Sequence, residues 1–369
     1  ALTPADFASL QALIETISKK AFKVESRMDE FFQALDTFLE HQRGGKPIGR
    51  YTQRERILDS TRTQPDWSDV EIAWEQGRNS LNDLLESLQK LWEAIREMIL
   101  RAPEDEPQIE SVLGDMREVY GELYELFENL DALVFDPDSN MIYWAEVTPN
   151  QKHISVKAAP LHIGELMEKH IWYEKRAVVL TSATLTTTGN FDYIRNRLQA
   201  IDAEEMTLGS PFDYQTAALL YLVNDIPEPT DYRGHQTALN QCLIPLCKET
   251  GGRTLVLFTS YTQLHKTAEA ITSPLAQEGI IVYEQGSGPS PHTLLKNFQE
   301  SDQAVLLGTR AFWEGVDIPG KDLSVLVIAK LPFDVPSDPI VSARSETFQD
   351  PFSEYMLPEA ILGFRQGFG

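Results

Sequence analysis

Residues 304–320 read AVLLGTRAFWEGVDIPG, an apolar run that stops at a glycine and continues as a polar loop. The run 304–308 has the length and the leucine and valine content of a buried strand. Four similar runs occur along the chain, and helical stretches separate them; they are 177–180, 254–258, 280–283 and 324–328. Buried strands that alternate with helices predict an α/β fold whose parallel sheet carries helices on both faces.

The preceding part of the chain has a helical period. Between residue 5 and about residue 130, apolar residues recur at intervals of three or four; examples are Phe7, Ile14, Phe31, Leu35 and Phe38. Glycine and proline interrupt the pattern at 44–47 and 102–107, which predicts three or four long antiparallel helices. Apolar stripes of this kind predict packing against a core.

The period changes again after residue 130. Residues 133–135 and 141–147 flank a turn at 137–140 and predict a β-hairpin, and 154–156 predict a further strand. We therefore expect three parts: an all-α domain over 1–130, a β segment over 131–170, and the α/β domain over 171–369.

Composition limits the classes of protein that fit. The chain has 369 residues, 42% of them hydrophobic, and no apolar run approaches the roughly 18 residues of a membrane span. We expect a soluble, cytoplasmic monomer with no membrane partner. The two cysteines, Cys242 and Cys247, are too few for a four-thiolate metal site, and no metal ligands are predicted.

The charge balance argues against bulk attraction to nucleic acid. With 56 acidic and 32 basic residues, the net charge is −24, which opposes binding to a polyanion. One local stretch, 42–56, is basic and contains Arg50, Arg54 and Arg56. It fits either a solvated surface loop or a flexible finger whose arginines contact phosphates.

Polar strings follow the predicted strands at the edge where parallel sheets carry their chemistry. Two of them, 181–185 (TSATL) and 259–261 (TSY), offer hydroxyl groups that either cap the next helix or bind an anion at its N-terminus. The string in 309–320 adds an arginine, two carboxylates and a tryptophan. Trp313 fits the core slightly better than a stacking role.

Together with Arg365-Gln-Gly-Phe-Gly369, these strings resemble motifs III, IV, V and VI of superfamily-two helicases, in that order. More narrowly, they resemble the DinG branch of the DinG/XPD family. The helical region resembles, by position, the Arch insertion of that family's first motor domain. Residues 131–170 would return to that first domain, and 171–369 would form the second, RecA-like motor domain.

The resemblance implies roles for particular residues. Coupling between nucleotide and DNA would fall to Thr181, Ser182 and Thr184. Contacts with single-stranded DNA would come from Thr259, Ser260, Tyr261, Thr309 and Arg310. Glu314, Asp317 and Gln366 would be catalytic, and Gly315, Asp317 and Gln366 would bind the nucleotide.

The implied activity is ATP-dependent 5′ to 3′ DNA unwinding in repair or replication, with ATP and Mg²⁺ as cofactors and single-stranded DNA and the first RecA-like domain as partners. An iron–sulfur cluster, where the family has one, is bound upstream of the Arch, so this sequence leaves its presence open.

Two departures from the family pattern qualify this expectation. The sequence has neither a G-x-x-x-x-G-K-[ST] phosphate loop nor an Asp-Glu magnesium box, and motif VI would continue with arginines beyond Gly369. We therefore expect this chain to be unable to hydrolyse ATP by itself. Two alternatives remain: a nucleic-acid-binding module of a DinG-type 3′–5′ exonuclease, and a protein-interaction scaffold.

Overall fold

The computed structural model describes residues 4–46, 52–101, 106–148, 153–210, 213–316, 318 and 320–368. The chain divides into two compact units. Unit 1 comprises residues 1–162 together with 337–343, and unit 2 comprises 163–336 and 344–369. The predictions that fall on Arg50 and Asp317 lie outside the described residues.

Unit 1 is built from long helices and a small antiparallel sheet. Its helices are α1 Pro4–Gln42, α2 Asp59–Arg62, α3 Trp67–Arg101 and α4 Glu106–Val134. Its strands are β1 Gln53–Arg56, β2 Met141–Thr148 and β3 His153–Pro160, in the order β1-β2-β3. A further helix, α11 Pro339–Ser345, contributes residues 339–343 to this unit.

The core of unit 1 joins the helices to the sheet. Phe31 of α1 and Trp74 of α3 are both fully buried and meet edge to face, with ring centroids 5.8 Å apart. The Trp74 indole donates a hydrogen bond to the Asp131 carboxylate of α4 at 3.1 Å. Tyr143 and Ala145 of β2 pack into the same cluster. The predicted helical stripes therefore do form a core in this region.

Two expectations for unit 1 are wrong. Residues 133 and 134 end α4, and the hairpin is formed by β2 and β3. A helix that is already packed can continue through Leu133 and Val134, whose burial suits either secondary structure. Core packing is also wrong for Phe7 and Ile14, which are 67% and 52% exposed. They lie near the start of α1, whose 39 residues span about 58 Å and extend past the buried cluster.

Unit 2 contains a four-stranded parallel sheet. Its strands are β4 Thr254–Leu257, β5 Ile281–Glu284, β6 Ala304–Gly308 and β7 Val325–Ile328, in the order β5-β6-β4-β7. Its α-helices are α5 Gly164–Met167, α6 Asp192–Leu198, α7 Tyr214–Ala217, α8 Tyr232–Glu249, α9 Tyr261–Ala276, α10 Pro291–Glu300 and α12 Leu357–Phe368. Short 3₁₀ and π turns are Glu168–Trp172, Arg310–Phe312, Gly320–Asp322 and Phe352–Met356.

Successive residues of β4 point to opposite faces of this sheet. Val256 packs with Leu243 of α8 and Leu264 of α9 on one face. Leu257 packs with Phe298 of α10 and with Trp313 on the other. The predicted α/β fold with helices on both faces is thereby confirmed, and both cysteines are free thiols within α8.

The prediction of a strand at 177–180 is wrong. This run forms no strand, and its side chains Val178, Val179 and Leu180 are 39%, 85% and 47% exposed. A strand needs neighbours that satisfy its amide and carbonyl groups. Among the described strands, none pairs with this run.

Candidate functional site

The carboxyl ends of β4, β5 and β6 meet at one edge of the unit 2 sheet because the three strands are parallel and hydrogen-bonded neighbours. The polar strings 259–261 and 309–310 follow β4 and β6, so the fold brings together two strings that lie about 50 residues apart in sequence. Gln285, which follows β5, lies between them through hydrogen bonds to Tyr261 and Thr309.

The string after β4 forms the N-terminus of α9. Ser260 is the N-cap, and its side-chain oxygen accepts a hydrogen bond from the Gln263 backbone N–H at 3.2 Å. Thr259 and Ser260 are exposed, and Tyr261 is 41% exposed. This arrangement serves both as a helix cap and as a surface where neutral donors and a helix N-terminus face solvent.

The string after β6 divides into buried and exposed residues. Thr309 is only 5% exposed, and both its backbone N–H and its hydroxyl donate to Gln285 Oε1, at 2.7 and 3.0 Å. Arg310 is exposed and opens the 3₁₀ turn Arg310–Phe312. Arg310 is therefore accessible to a ligand, whereas the donors of Thr309 already have an internal partner.

Trp313 belongs to the core, as the sequence favoured. It is 6% exposed, and its indole N–H donates to the Phe258 carbonyl at 3.1 Å. Gly367 of α12 packs against its ring so closely that a Cβ on Gly367 would lie 2.3 Å from Trp313 Cε3. A stacking role on nucleic acid would require this side chain to leave its pocket.

This contact places two predicted nucleotide-facing segments beside each other. Glu314 and Gly315, which directly follow Trp313, are exposed, and so is Gln366, which precedes Gly367. Exposure leaves these groups open to a ligand. Their assignment to a nucleotide stays a prediction.

The string 181–184 forms a compact turn in unit 2. The Ser182 hydroxyl lies 3.1 Å from the Thr184 hydroxyl and accepts from the Thr184 backbone N–H at 3.1 Å. Two residues further on, Thr186 accepts from Arg365 of α12 through its carbonyl and, at 2.8 Å, through its hydroxyl. Arg365 therefore ties the segment that contains Thr181, Ser182 and Thr184 to α12.

The basic stretch lies in unit 1, where two of its arginines have internal partners. Arg54 on β1 pairs with Glu146 of β2 at 2.8 Å and also with Asp338. Arg56 contacts the Ser342 hydroxyl at 3.4 Å. A phosphate contact by Arg54 and Arg56 stays a prediction, and a charge reversal at Arg54 would disturb unit 1 as well as any bound DNA.

The Glu146 carboxylate, which pairs with Arg54, also accepts hydrogen bonds from Lys157 and Trp144. Burial by itself raises the pKa of this carboxyl. Hydrogen bonds from Lys157 and Trp144, together with the charges of Arg54 and Lys157, outweigh burial and hold its pKa below the ordinary value of 4.5. A lowered folded-state pKa means that this stabilisation is complete above pH 4.5 and is lost as pH falls through the folded pKa.

Sequence reasoning missed Gln285 and Arg365 as functional candidates. Gln285 is a single glutamine after a strand, and only its position before Gly286 marks a turn. Arg365 stands within a recognised motif, but its partner Thr186 lies 179 residues away in sequence. The described residues contain no group of three or more histidine, cysteine or carboxylate side chains suited to a metal ion. Among the described helices, none combines the length and apolar character that a membrane span requires.

Comparison with known proteins places this site in context. Residues 243–369 match the model of the helicase C-terminal domain family. A Bacillus subtilis protein named 3′-5′ exonuclease DinG is 31% identical over 94% of this chain and 38% of its own length. The ATP-dependent DNA helicase YoaA of Escherichia coli is 33% identical over 62% of the chain and 35% of its own length.

The ATP-dependent DNA helicase DinG of Photobacterium profundum is 27% identical over 95% of the chain and 52% of its own length. The chain thus spans between 35% and 52% of the length of these three relatives.

Proposed function

We propose that this chain, whose residues 243–369 match the helicase C-terminal domain family, belongs to the DinG-like branch and is the C-terminal part of an ATP-dependent DNA helicase. The helicase translocates 5′ to 3′ on single-stranded DNA and acts in repair or replication. In this proposal residues 1–130 are the Arch-like region, and residues 171–369 belong to the second RecA-like motor domain.

The observation that carries this proposal is the group of exposed neutral donors at the carboxyl edge of the sheet. Thr259, Ser260 and Tyr261 face solvent at the N-terminus of a 16-residue helix. Neutral hydroxyls and helix amides bind phosphate oxygens without requiring a basic surface. The net charge of −24 is therefore compatible with strand binding at this edge.

In this proposal the nucleotide binds a second group of residues, which follows β6 and lies on α12. Glu314, Gly315 and Gln366 are exposed, so a ligand can reach them, and Asp317 completes the set. ATP with Mg²⁺, when bound, supplies the phosphoryl transfer that drives translocation. Since this sequence has no lysine phosphate loop, a first RecA-like domain provides that part of the site.

Coupling between the two sites runs through Arg365. Its guanidinium holds Thr186, and the turn containing Thr181, Ser182 and Thr184 lies just before it. In this proposal, when α12 moves in response to the nucleotide, the hydrogen bonds from Arg365 to Thr186 move the segment 181–186 with it.

One relative favours a second candidate function. The Bacillus subtilis protein is named an exonuclease, and 94% of this chain aligns with it. In that case unit 2 would bind the DNA strand that a separate nuclease domain degrades.

Single-stranded-DNA-stimulated ATPase activity tests the proposal. It is measured on this 369-residue chain and on the natural protein extended at both ends. We expect stimulated hydrolysis by the extended protein and none by this chain, because the lysine loop is absent from it. The extended protein carrying Glu314→Gln, purified in parallel, controls for a contaminating ATPase.

Hydrolysis by the 369-residue chain would show that the chain contains a complete nucleotide site, which would contradict the assignment of part of that site to a first RecA-like domain. Silence in both proteins, with strand binding intact, would favour the binding module of an exonuclease.

A further inference from the structure

Gln285 directly follows β5 and connects the two strings that follow β4 and β6. Its side chain is nearly buried, with 6% of the residue exposed. One end of its amide contacts Thr309, and the other contacts Tyr261. No helicase role was expected for this residue from the sequence.

Hydrogen-bond chemistry fixes the orientation of this amide. The Thr309 backbone N–H, 2.7 Å away, can only donate, so the Gln285 atom that faces it must be the oxygen. The Thr309 hydroxyl donates to the same oxygen at 3.0 Å. Gln285 Nε2 must then face the Tyr261 hydroxyl oxygen, at 2.9 Å, and donate to it.

This orientation of the Gln285 amide gives the hydroxyls of Thr309 and Tyr261 different roles. A threonine hydroxyl has one proton, and that of Thr309 is used inside the protein. The Tyr261 oxygen accepts from Gln285, so its own O–H remains available as a donor. Tyr261 is 41% exposed, whereas Thr309 is 5% exposed.

The Tyr261 ring is also held in place. It lies over the His265 ring at 6.2 Å between centroids, with 29° between the planes. His265 Nδ1 in turn pairs with the Glu284 carboxylate, one residue before Gln285. The tyrosine O–H is therefore presented from a supported ring at the N-terminus of α9.

We propose that Gln285 is a positioning residue that directs the Tyr261 O–H outward as a donor to a phosphate oxygen of single-stranded DNA, while Thr309 anchors Gln285. This inference rests on the proposed function, since it takes its ligand from it. It assigns the donor to Tyr261 and an internal structural role to the Thr309 hydroxyl.

A double-mutant cycle on the 369-residue chain tests whether Gln285 orients the Tyr261 hydroxyl. The variants are Tyr261→Phe, Gln285→Glu and the combination, and fluorescence anisotropy with labelled oligothymidylate gives the affinities. A glutamate at 285 still accepts from Thr309 but also accepts the Tyr261 proton, which turns the tyrosine donor inward. Gln277→Glu, at the exposed C-terminal end of α9, introduces the same charge as a matched control.

We expect Tyr261→Phe to weaken binding about 10-fold in the wild-type background, the size of one hydrogen bond to a charged acceptor. In the Gln285→Glu background the same change should alter affinity by less than about twofold, because the donor has already been withdrawn. An equal loss in both backgrounds, or no loss in the wild type, would overturn the proposal. Melting curves confirm that each variant is folded.

A second measurement separates this inference from the proposed function. Hydrogen exchange of the Thr309 amide should be fast in Gln285→Met, which has no acceptor, and slow in Gln285→Glu. If the wild-type chain fails to bind the oligonucleotide, the proposed function and the DNA ligand are wrong. The exchange data still decide whether the Gln285 side-chain oxygen accepts from Thr309. Slow exchange of the Thr309 amide in Gln285→Met would show that Gln285 is not its acceptor and would overturn the proposal.

Discussion

Replacing Gly252 with alanine is expected to lower the free energy of unfolding of unit 2 by about 3 kcal/mol or more. Gly252 has φ +80°, a conformation that an L side chain rarely adopts. An added Cβ would lie 2.7 Å from the backbone nitrogen and 2.9 Å from the backbone oxygen of Ala304. Backbone atoms at the start of β6 cannot rotate away, so the α8–β4 connection or the sheet has to move.

The requirement arises from how α8 ends. The Gly251 N–H donates to the Lys248 carbonyl, and the Gly252 N–H donates to the Cys247 carbonyl at 2.8 Å. This pair of bonds is a Schellman motif, which closes the helix and turns the chain directly into β4. Gly252 thus stands where the helix cap passes against β6.

Hydrogen exchange of β4 and β6 amides measures the loss within unit 2. Gly251→Ala is the matched control because Gly251 also has positive φ, +65°, but its nearest neighbour is the flexible Gln303 side chain at 3.8 Å. That variant should lose only about 1 kcal/mol, the cost of the backbone strain. Equal losses in the two variants would contradict the close approach to β6.

Replacing Arg365 with alanine should reduce the DNA-stimulated ATPase turnover of the extended protein about 100-fold. Arg365 binds both the carbonyl and the hydroxyl of Thr186, so its loss frees the segment that contains the predicted coupling residues. Misplacement of about 1 Å by a residue away from the chemistry can cost a factor of this size. Affinity for single-stranded DNA should change by no more than a few-fold, since the exposed donors after β4 remain.

Steady-state ATPase assays with and without single-stranded DNA make this measurement. Arg233→Ala removes the same charge from an exposed position on α8 and serves as the control. Arg365→Lys should restore part of the activity, because an ammonium can still donate to Thr186 but lacks the planar fork. Normal stimulated turnover in Arg365→Ala would show that the contact with Thr186 does not couple the sites.

The sequence was sufficient for the four strands of the unit 2 sheet because each is a short apolar run between helical stretches, fully buried in β4 and β6 and partly exposed in β5 and β7. Residues 304–308 match the predicted strand from end to end. The run 177–180 has similar composition, yet it pairs with none of the described strands. Composition reports that a segment suits a sheet and contains no information about which neighbour would pair with it.

The site was less predictable, because contacts distant in sequence decide what each side chain does. Thr309 was expected to contact phosphate, but Gln285 binds both of its donors. The core position of Trp313 is shown by its hydrogen bond to the Phe258 carbonyl and by the close approach of Gly367 to its ring. For Arg54 and Arg56 the sequence left a surface loop and a phosphate-contacting finger open, and it gave no sign of their partners Glu146 and Ser342.

The strand-displacement activity of the extended protein tests the central claim most directly. The substrates are end-labelled duplexes with a single-stranded tail on either the 5′ or the 3′ side, incubated with ATP and Mg²⁺ and analysed on native and denaturing gels. We predict ATP-dependent release of an intact labelled strand from the 5′-tailed duplex and none from the 3′-tailed duplex. Shortening of the labelled strand from its 3′ end without displacement would contradict the helicase assignment and favour the exonuclease.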